Sequence, residues 1–215
     1  MSRSLWITLL VALAALWLVT HHHRQPINAV ATAGGAVRCA LPERFSDPNQ
    51  PLQSNDDGRM PPFRLDNATV TPLAGFSLQA RVLSREDYWM GDETKYSPTD
   101  LALGWGPMAN PAVSDKLGIS QGGRWYYYQW GSEGPPIAPD EIVRSSANMH
   151  MIPADDTARR ELERVRAGEV IHLQGFLVDA SRANGWRWRT SMSRDDTGDG
   201  ACELVYVESV EAAVP

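Results

Sequence analysis

The stretch 167–208, AGEVIHLQGFLVDASRANGWRWRTSMSRDDTGDGACELVYVE, carries three strand-like runs separated by turn residues. In 169–178, Val170, His172, Gln174 and Phe176 share one face of an extended chain. Ile171, Leu173, Gly175 and Leu177 share the other, because side chains alternate with period two. Ile171, Leu173 and Leu177 mark the core side, and Gly175 permits a bend or bulge. A polar loop at 181–185 follows. Trp186 and Trp188 then alternate with Arg187 and Arg189, giving one aromatic and one cationic face. An Asp/Gly turn at 195–200 leads to the closing strand, 204–210, where Leu204 and Tyr206 oppose Val205 and Val207.

Working outward, Asp155 or Asp156 caps a helix whose buried stripe is Ala158, Leu162 and Val165, at i, i+4 and i+7, with Gly168 as its end. Before it, 145–153 (SSANMHMIP) reads as a short strand ending at its proline. Pro139-Asp140 opens another short helix. In 124–130 (RWYYYQW) aromatics fall on both faces, which implies burial on both sides, or one face buried and one presented to a ligand. Asn110-Pro111 is a helix start that Gly118 can end. The run 96–108 (YSPTDLALGWGPM) is broken by Pro98, Gly104, Gly106 and Pro107 and reads as a structured loop around Leu101, Leu103 and Trp105. Phe76, Leu78, Ala80 and Val82 form a half-buried strand. The sum is an α+β fold: a small, mostly antiparallel β domain with two or three short helices. It is compatible with an OB-like or SH3-like barrel and with an open sheet.

Upstream, 25–71 carries six prolines among Ser, Asn, Asp and Gly, with no helical or strand period. It reads as an extended spacer. Residues 5–20, LWITLLVALAALWLVT, contain no charge. As a helix they reach about 24 Å, slightly short of a ~30 Å hydrocarbon core, and Ser4 and His21–His23 can sit at the interfaces. An uncleaved signal anchor is expected, with cleavage at Ala29-Val30-Ala31 as the alternative. The organisation expected is thus an anchor at 1–24, a spacer at 25–72 and a domain at 73–215. That makes a single-pass protein of the bacterial inner membrane with its C-terminal domain in the periplasm. A net charge of −6 and pI near 5.3 argue against a nucleic-acid partner, which a basic footprint would serve.

Two cysteines in an exported chain most often pair. A Cys39–Cys202 bond would close a long loop and contribute roughly 4–5 kcal/mol in the chain-entropy view. Beyond residue 23 the histidines are His150 and His172, each beside apolar residues in a strand-like run. There is no G-x-S-x-G and no H-E-x-x-H; a hydrolytic site would have to combine His150 with Ser146 or Asp195. Asp195, Thr197 and Asp199 mimic the front of a Ca²⁺ loop, but Tyr206 stands where its bidentate Glu belongs. No metal and no cofactor are expected. Arg187, Arg189 and Arg194 beside aromatic side chains could form an anion-binding strip.

The blocks YSPTDLALGWGPM, SANMHMIPADD, GEVIHLQGFLVD and SRDDTGDGACELVYVE, within 96–208, look like blocks of uncharacterised membrane-anchored bacterial envelope proteins. The resemblance brings no activity and no catalytic residue. It directs attention to the polar positions Asp100, Asn148, His150, Trp186, Arg194 and Asp195. The leading expectation is a membrane-tethered periplasmic module that binds or assembles with another envelope component. The alternatives are a hydrolase of cell-wall or lipid material using His150, and an OB-type binder of oligosaccharide or nucleic acid.

Overall fold

The computed structural model describes residues 47–55 and 60–213. The apolar segment 5–20 and Cys39 lie outside them. Among the described residues no helix is long and apolar enough to cross a membrane. The described part is mostly β-sheet with three short helices, an α+β fold.

Five strands pair in a closed circuit. The 20-residue β3 (Ala68–Asp87), preceded by the short β1 (Leu52–Asn55) and β2 (Phe63–Leu65), is long enough to serve both ends of it. Residues 81–87 of β3 pair antiparallel with β4 (Thr99–Gly104). After a separate hairpin, β5 (Gly118–Gly122) with β6 (Trp125–Gln129), the chain enters β7 (Ser146–Pro153), antiparallel to β4. Next comes β8 (Val170–Ser181), which pairs with residues 69–81 of β3. After the two-residue β9 (Arg187–Trp188), β10 (Glu203–Ala212) inserts between β8, antiparallel, and β7, parallel, and so closes the circuit. Register breaks in β3 between Pro72 and Ala74 and between Val82 and Ser84 supply the curvature that closure needs.

The helices match the sequence signals. In α1 (Pro111–Ser114) the Asn110 side chain accepts from Ala112 N at 2.9 Å. A proline opens α2 (Pro139–Arg144). In α3 (Asp156–Arg164), Asp155 Oδ1 accepts from Thr157 N and Ala158 N, which satisfies two otherwise orphaned donors. Leu162 and Val165 join the circuit's core, made of Phe76, Leu78, Leu101, Met149, Leu173 and Val205 among others. Each such fully buried side chain contributes about 1.5–3 kcal/mol.

Some expectations change. The run expected as a loop at 96–108 contains β4, all six of whose residues are buried. Buried on both faces, it lacks the alternation that announces a half-buried strand. Gly118 opens β5 instead of ending a helix, and α1 stops at Ser114. Strands β1, β2 and the start of β3 fall inside the stretch expected as spacer; they are edge strands or strand beginnings flanked by Pro51, Pro61 and Pro62, positions where proline is tolerated. Ile171, Leu173 and Leu177 face the core as expected. Phe176, on the opposite face, is buried as well, in a second apolar layer with Val70, Leu204, Tyr206 and the partly buried Phe63 and Trp188. The irregularity expected at Gly175 sits on the partner strand, between Val207 and Ser209. Gly175 is where two backbones meet: a Cβ there would lie 2.0 Å from the Tyr206 carbonyl oxygen.

Candidate functional site

Along β4 and β7, odd-numbered residues such as Leu101, Leu103, Met149 and Met151 fill the interior. Asp100, Ala102, Ser146, Asn148 and His150 therefore face outward. Register places Asp100 opposite His150 and Ala102 opposite Asn148. Yet Asp100 is 0% exposed, and Asn148 and His150 are buried. The cover is the tip of the β5–β6 hairpin. Gly122 pairs with Trp125, leaving Gly123 and Arg124 as a two-residue turn with φ of 60° and 74°, the pattern of a type I′ hairpin. A left-handed non-glycine residue costs about 1–2 kcal/mol, and the contacts of Arg124 offset it.

Arg124 Nη1 donates to Asp100 Oδ1 at 2.8 Å and Nη2 to the Ser97 carbonyl at 2.9 Å. The guanidinium stacks 3.9 Å from the Tyr88 ring centroid, a favourable cation–π placement. The Arg124 N–H donates to Tyr88 Oη (3.0 Å), and its carbonyl accepts from Asn148 Nδ2 (3.1 Å). Asn148 Oδ1 in turn accepts from Gln121 Nε2 at 2.6 Å. Burial, and next the Asp100 carboxylate, push the Tyr88 phenol up to about 12. His150 Nδ1 lies 2.9 Å from Asp100 Oδ2 but off the hydrogen-bond line, so Nδ1 counts as unpartnered. The imidazole packs 4.8 Å from the Trp188 ring.

Two cavities flank this riveted hairpin. One, of about 470 Å³, opens beside His150, Trp188 and Cys202, with Arg187 and Arg189 at its rim. The other, of about 180 Å³, is walled by Trp105, Trp125, Tyr126 and Tyr128 and reaches Asn148. At its polar end stand Arg194 and Glu203. Glu203 alternates with Val205 and Val207, so it occupies an inward-facing position at the end of the core, and is 1% exposed. Arg194 Nη1 approaches Glu203 Oε1 at 2.6 Å without hydrogen-bond alignment. Arg194 Nε and Glu203 Oε2 have no hydrogen-bond partner among the described residues. Burial pushes the Glu203 carboxyl up to about 8, outweighing the opposing pull of Arg194.

The sequence candidates divide accordingly. Asp100, Asn148 and His150 come together; Asn148 and Arg194 share the smaller cavity; His150, Arg187 and Arg189 share the larger. Trp186 stands apart, with the Arg182 guanidinium 4.3 Å from its ring and its indole N–H donating to Glu93 Oε1 at 3.3 Å. Asp195 is exposed and lines neither cavity. Ser146 donates to the Ile142 carbonyl at 2.7 Å, and four residues of strand, about 13 Å, separate it from His150. Among the described residues Cys202 has no disulfide partner, and burial pushes its thiol up to about 11; its expected partner, Cys39, is outside the described residues. Among the described residues no group of three or more His, Cys, Asp or Glu side chains could hold a metal ion.

Sequence reasoning missed Arg124, Tyr88 and Glu203. Arg124 had one signal, a charged residue directly after Gly122-Gly123 in a hairpin turn. Glu203 had another, a carboxylate heading the apolar run 204–207. No family model matches the chain, and no curated protein and no solved structure is significantly similar to it.

Proposed function

We propose that this chain is a ligand-binding module of OB type, held at the outer face of a bacterial inner membrane by its N-terminal segment, where it engages another component of the envelope. The strand order supports the OB reading. Taking β3, β4, β7, β8 and β10 as strands one to five, neighbours run 1-2-3-5-4-1, with the third and fifth parallel and α3 between the third and fourth. Such barrels offer ligands the face of strands two and three with the loops beside it. Here that face is β4 and β7, flanked by segments 88–98 and 182–202.

The observation that carries the proposal is the aromatic-walled cavity on this side, ending in a buried Arg194–Glu203 pair with polar atoms left over. Apolar walls with a few convergent polar groups are the usual form of a binding pocket. A hydrolase would need a nucleophile within reach of His150, and the hydroxyl of Ser146 is engaged elsewhere.

The test uses the full-length chain. Cosedimentation with purified cell-wall sacculi and with inner-membrane vesicles should show saturable binding that Trp125→Ala weakens. Turnover of simple aryl esters that disappears in His150→Ala would overturn the binding reading in favour of the hydrolase. A phosphatase fused after Pro215 should be active only if the domain is exported.

A further inference from the structure

We propose that the larger cavity, beside the tip of the β5–β6 hairpin, is a binding site for one oxyanionic group, a phosphate or carboxylate of a small ligand, held by Arg187 and Arg189. The inference rests on the reading of the chain as a binding module and adds the chemistry of what it binds.

Charge comes first. Among the described residues, three arginines stand in the cavity wall, Arg124, Arg187 and Arg189, and no Asp or Glu does. Arg124 is already engaged, by Asp100 Oδ1 at 2.8 Å and the Ser97 carbonyl at 2.9 Å. Arg187 and Arg189 are exposed, and neither has an ion-pair partner among the described residues. The wall therefore carries two uncompensated positive charges on a chain whose net charge is −6. Arg187 lies in β9 and Arg189 directly follows it; two extended residues advance a chain by only about 7 Å. Like charges so close repel one another, and an anion shared between them removes the repulsion. A guanidinium presents its N–H groups as a planar fork that matches the paired oxygens of a carboxylate or phosphate.

Size and surroundings come next. At about 470 Å³ the cavity falls in the usual range for small-molecule sites and has room for more than the oxyanion alone. Trp125 and Trp188 give the remainder of the ligand an aromatic wall. A long polyanion is disfavoured. The turn that borders the cavity at Gly200 carries Asp195, Asp196 and Asp199, all exposed, and would repel further negative groups. One oxyanion on a compact carrier satisfies the arginines without meeting that turn.

The probes are glucose 6-phosphate and glucuronate, titrated calorimetrically into the full-length chain, with glucose as control. Saturable binding of at least one probe, and not of glucose, is expected, and the tighter probe names the oxyanion as phosphate or carboxylate. Both arginines are exposed and unpaired, so the double variant Arg187→Gln, Arg189→Gln should keep the parent's melting temperature. It should weaken probe binding at least about tenfold. The control variant Arg160→Gln, Arg164→Gln removes the same charge from exposed positions of α3, outside the cavity wall, and should bind the probe like the parent. Absence of saturable binding of both probes up to about 10 mM, equal binding of glucose, indifference to the cavity variant, or equal weakening by the α3 variant overturns the site. If the parent chain binds sacculi or vesicles but neither probe, the site falls and the binding module stands. If it binds none of them, both fall.

Discussion

Among the described residues two arginine–carboxylate pairs have a buried carboxylate, and they differ in how completely they are finished. Asp100 and Arg124 meet at 2.8 Å on the outer face of the strand circuit. Ser97, Tyr88 and Asn148 engage the guanidinium and backbone of Arg124, and Asn148 Nδ2 also lies 3.4 Å from Asp100 Oδ2. Arg194 and Glu203 meet at 2.6 Å at the end of the core, and each keeps an atom with no partner among the described residues. A fully satisfied buried network specifies structure, and an incomplete one is a liability unless something completes it. The first pair staples the hairpin; the second stays incomplete among the described residues.

The comparison breaks most readily at Asp100. Asp100→Ala removes the partner of a buried arginine, and about 3–5 kcal/mol of stability should go with it, measured by urea denaturation. The hairpin 118–129 should also become sensitive to limited proteolysis. A loss as small as that of a surface ion pair would dissolve the distinction between the two pairs.

The second pair is sharpened by pH. The folded Glu203 pKa lies near 8 against an ordinary 4.5, so the native state holds this proton more tightly than the unfolded chain. Its contribution is therefore full below about pH 4.5 and is lost as pH rises through about 8. At its steepest the fall is about 1.4 kcal/mol per pH unit. Glu203→Gln should flatten the stability profile across that window; an unchanged profile would mean that Arg194 keeps Glu203 ionised.

Smaller effects probe the frame that places β10. Gly175→Ala sets a Cβ against the Tyr206 carbonyl and should cost at least about 1–3 kcal/mol, read from the denaturation midpoint. Asp155→Ala removes the cap of α3 and should cost about 1 kcal/mol. Smallest in energy is a rate: the Cys202 thiol, pushed up to about 11 from 9.0, should alkylate roughly a hundredfold more slowly at pH 8 than an ordinary thiol. Asp100→Ala, by freeing the hairpin, should restore much of that rate.

How legible all this was depended on whether a feature was local. The cap at Asp155, the strand 145–153 and the two turns around β9 need only neighbours a few residues away, so spacing revealed them. The strand β4 hid because burial on both faces erases alternation. The aromatic hairpin, read as buried on both faces or on one, is buried on one. Tyr126 and Tyr128 pack inward while Trp125 and Tyr127 stay exposed, a choice made by the layer of Met108, Leu117 and Ile142 beneath.

Taken alone, the order of residues settled the local grammar of this protein: its strand-forming alternations, its caps and turns, and its mixed α+β character. Those follow from periodicity and from backbone preferences that each segment carries with it. Tertiary structure alone decided that Arg124 reaches Asp100 from 24 positions away, that Glu203 points into the end of the core, and that Asp195 and Trp186 stay apart from His150. Such neighbours are products of closing five strands into a ring, and closure is a property of the whole circuit that no single stretch contains.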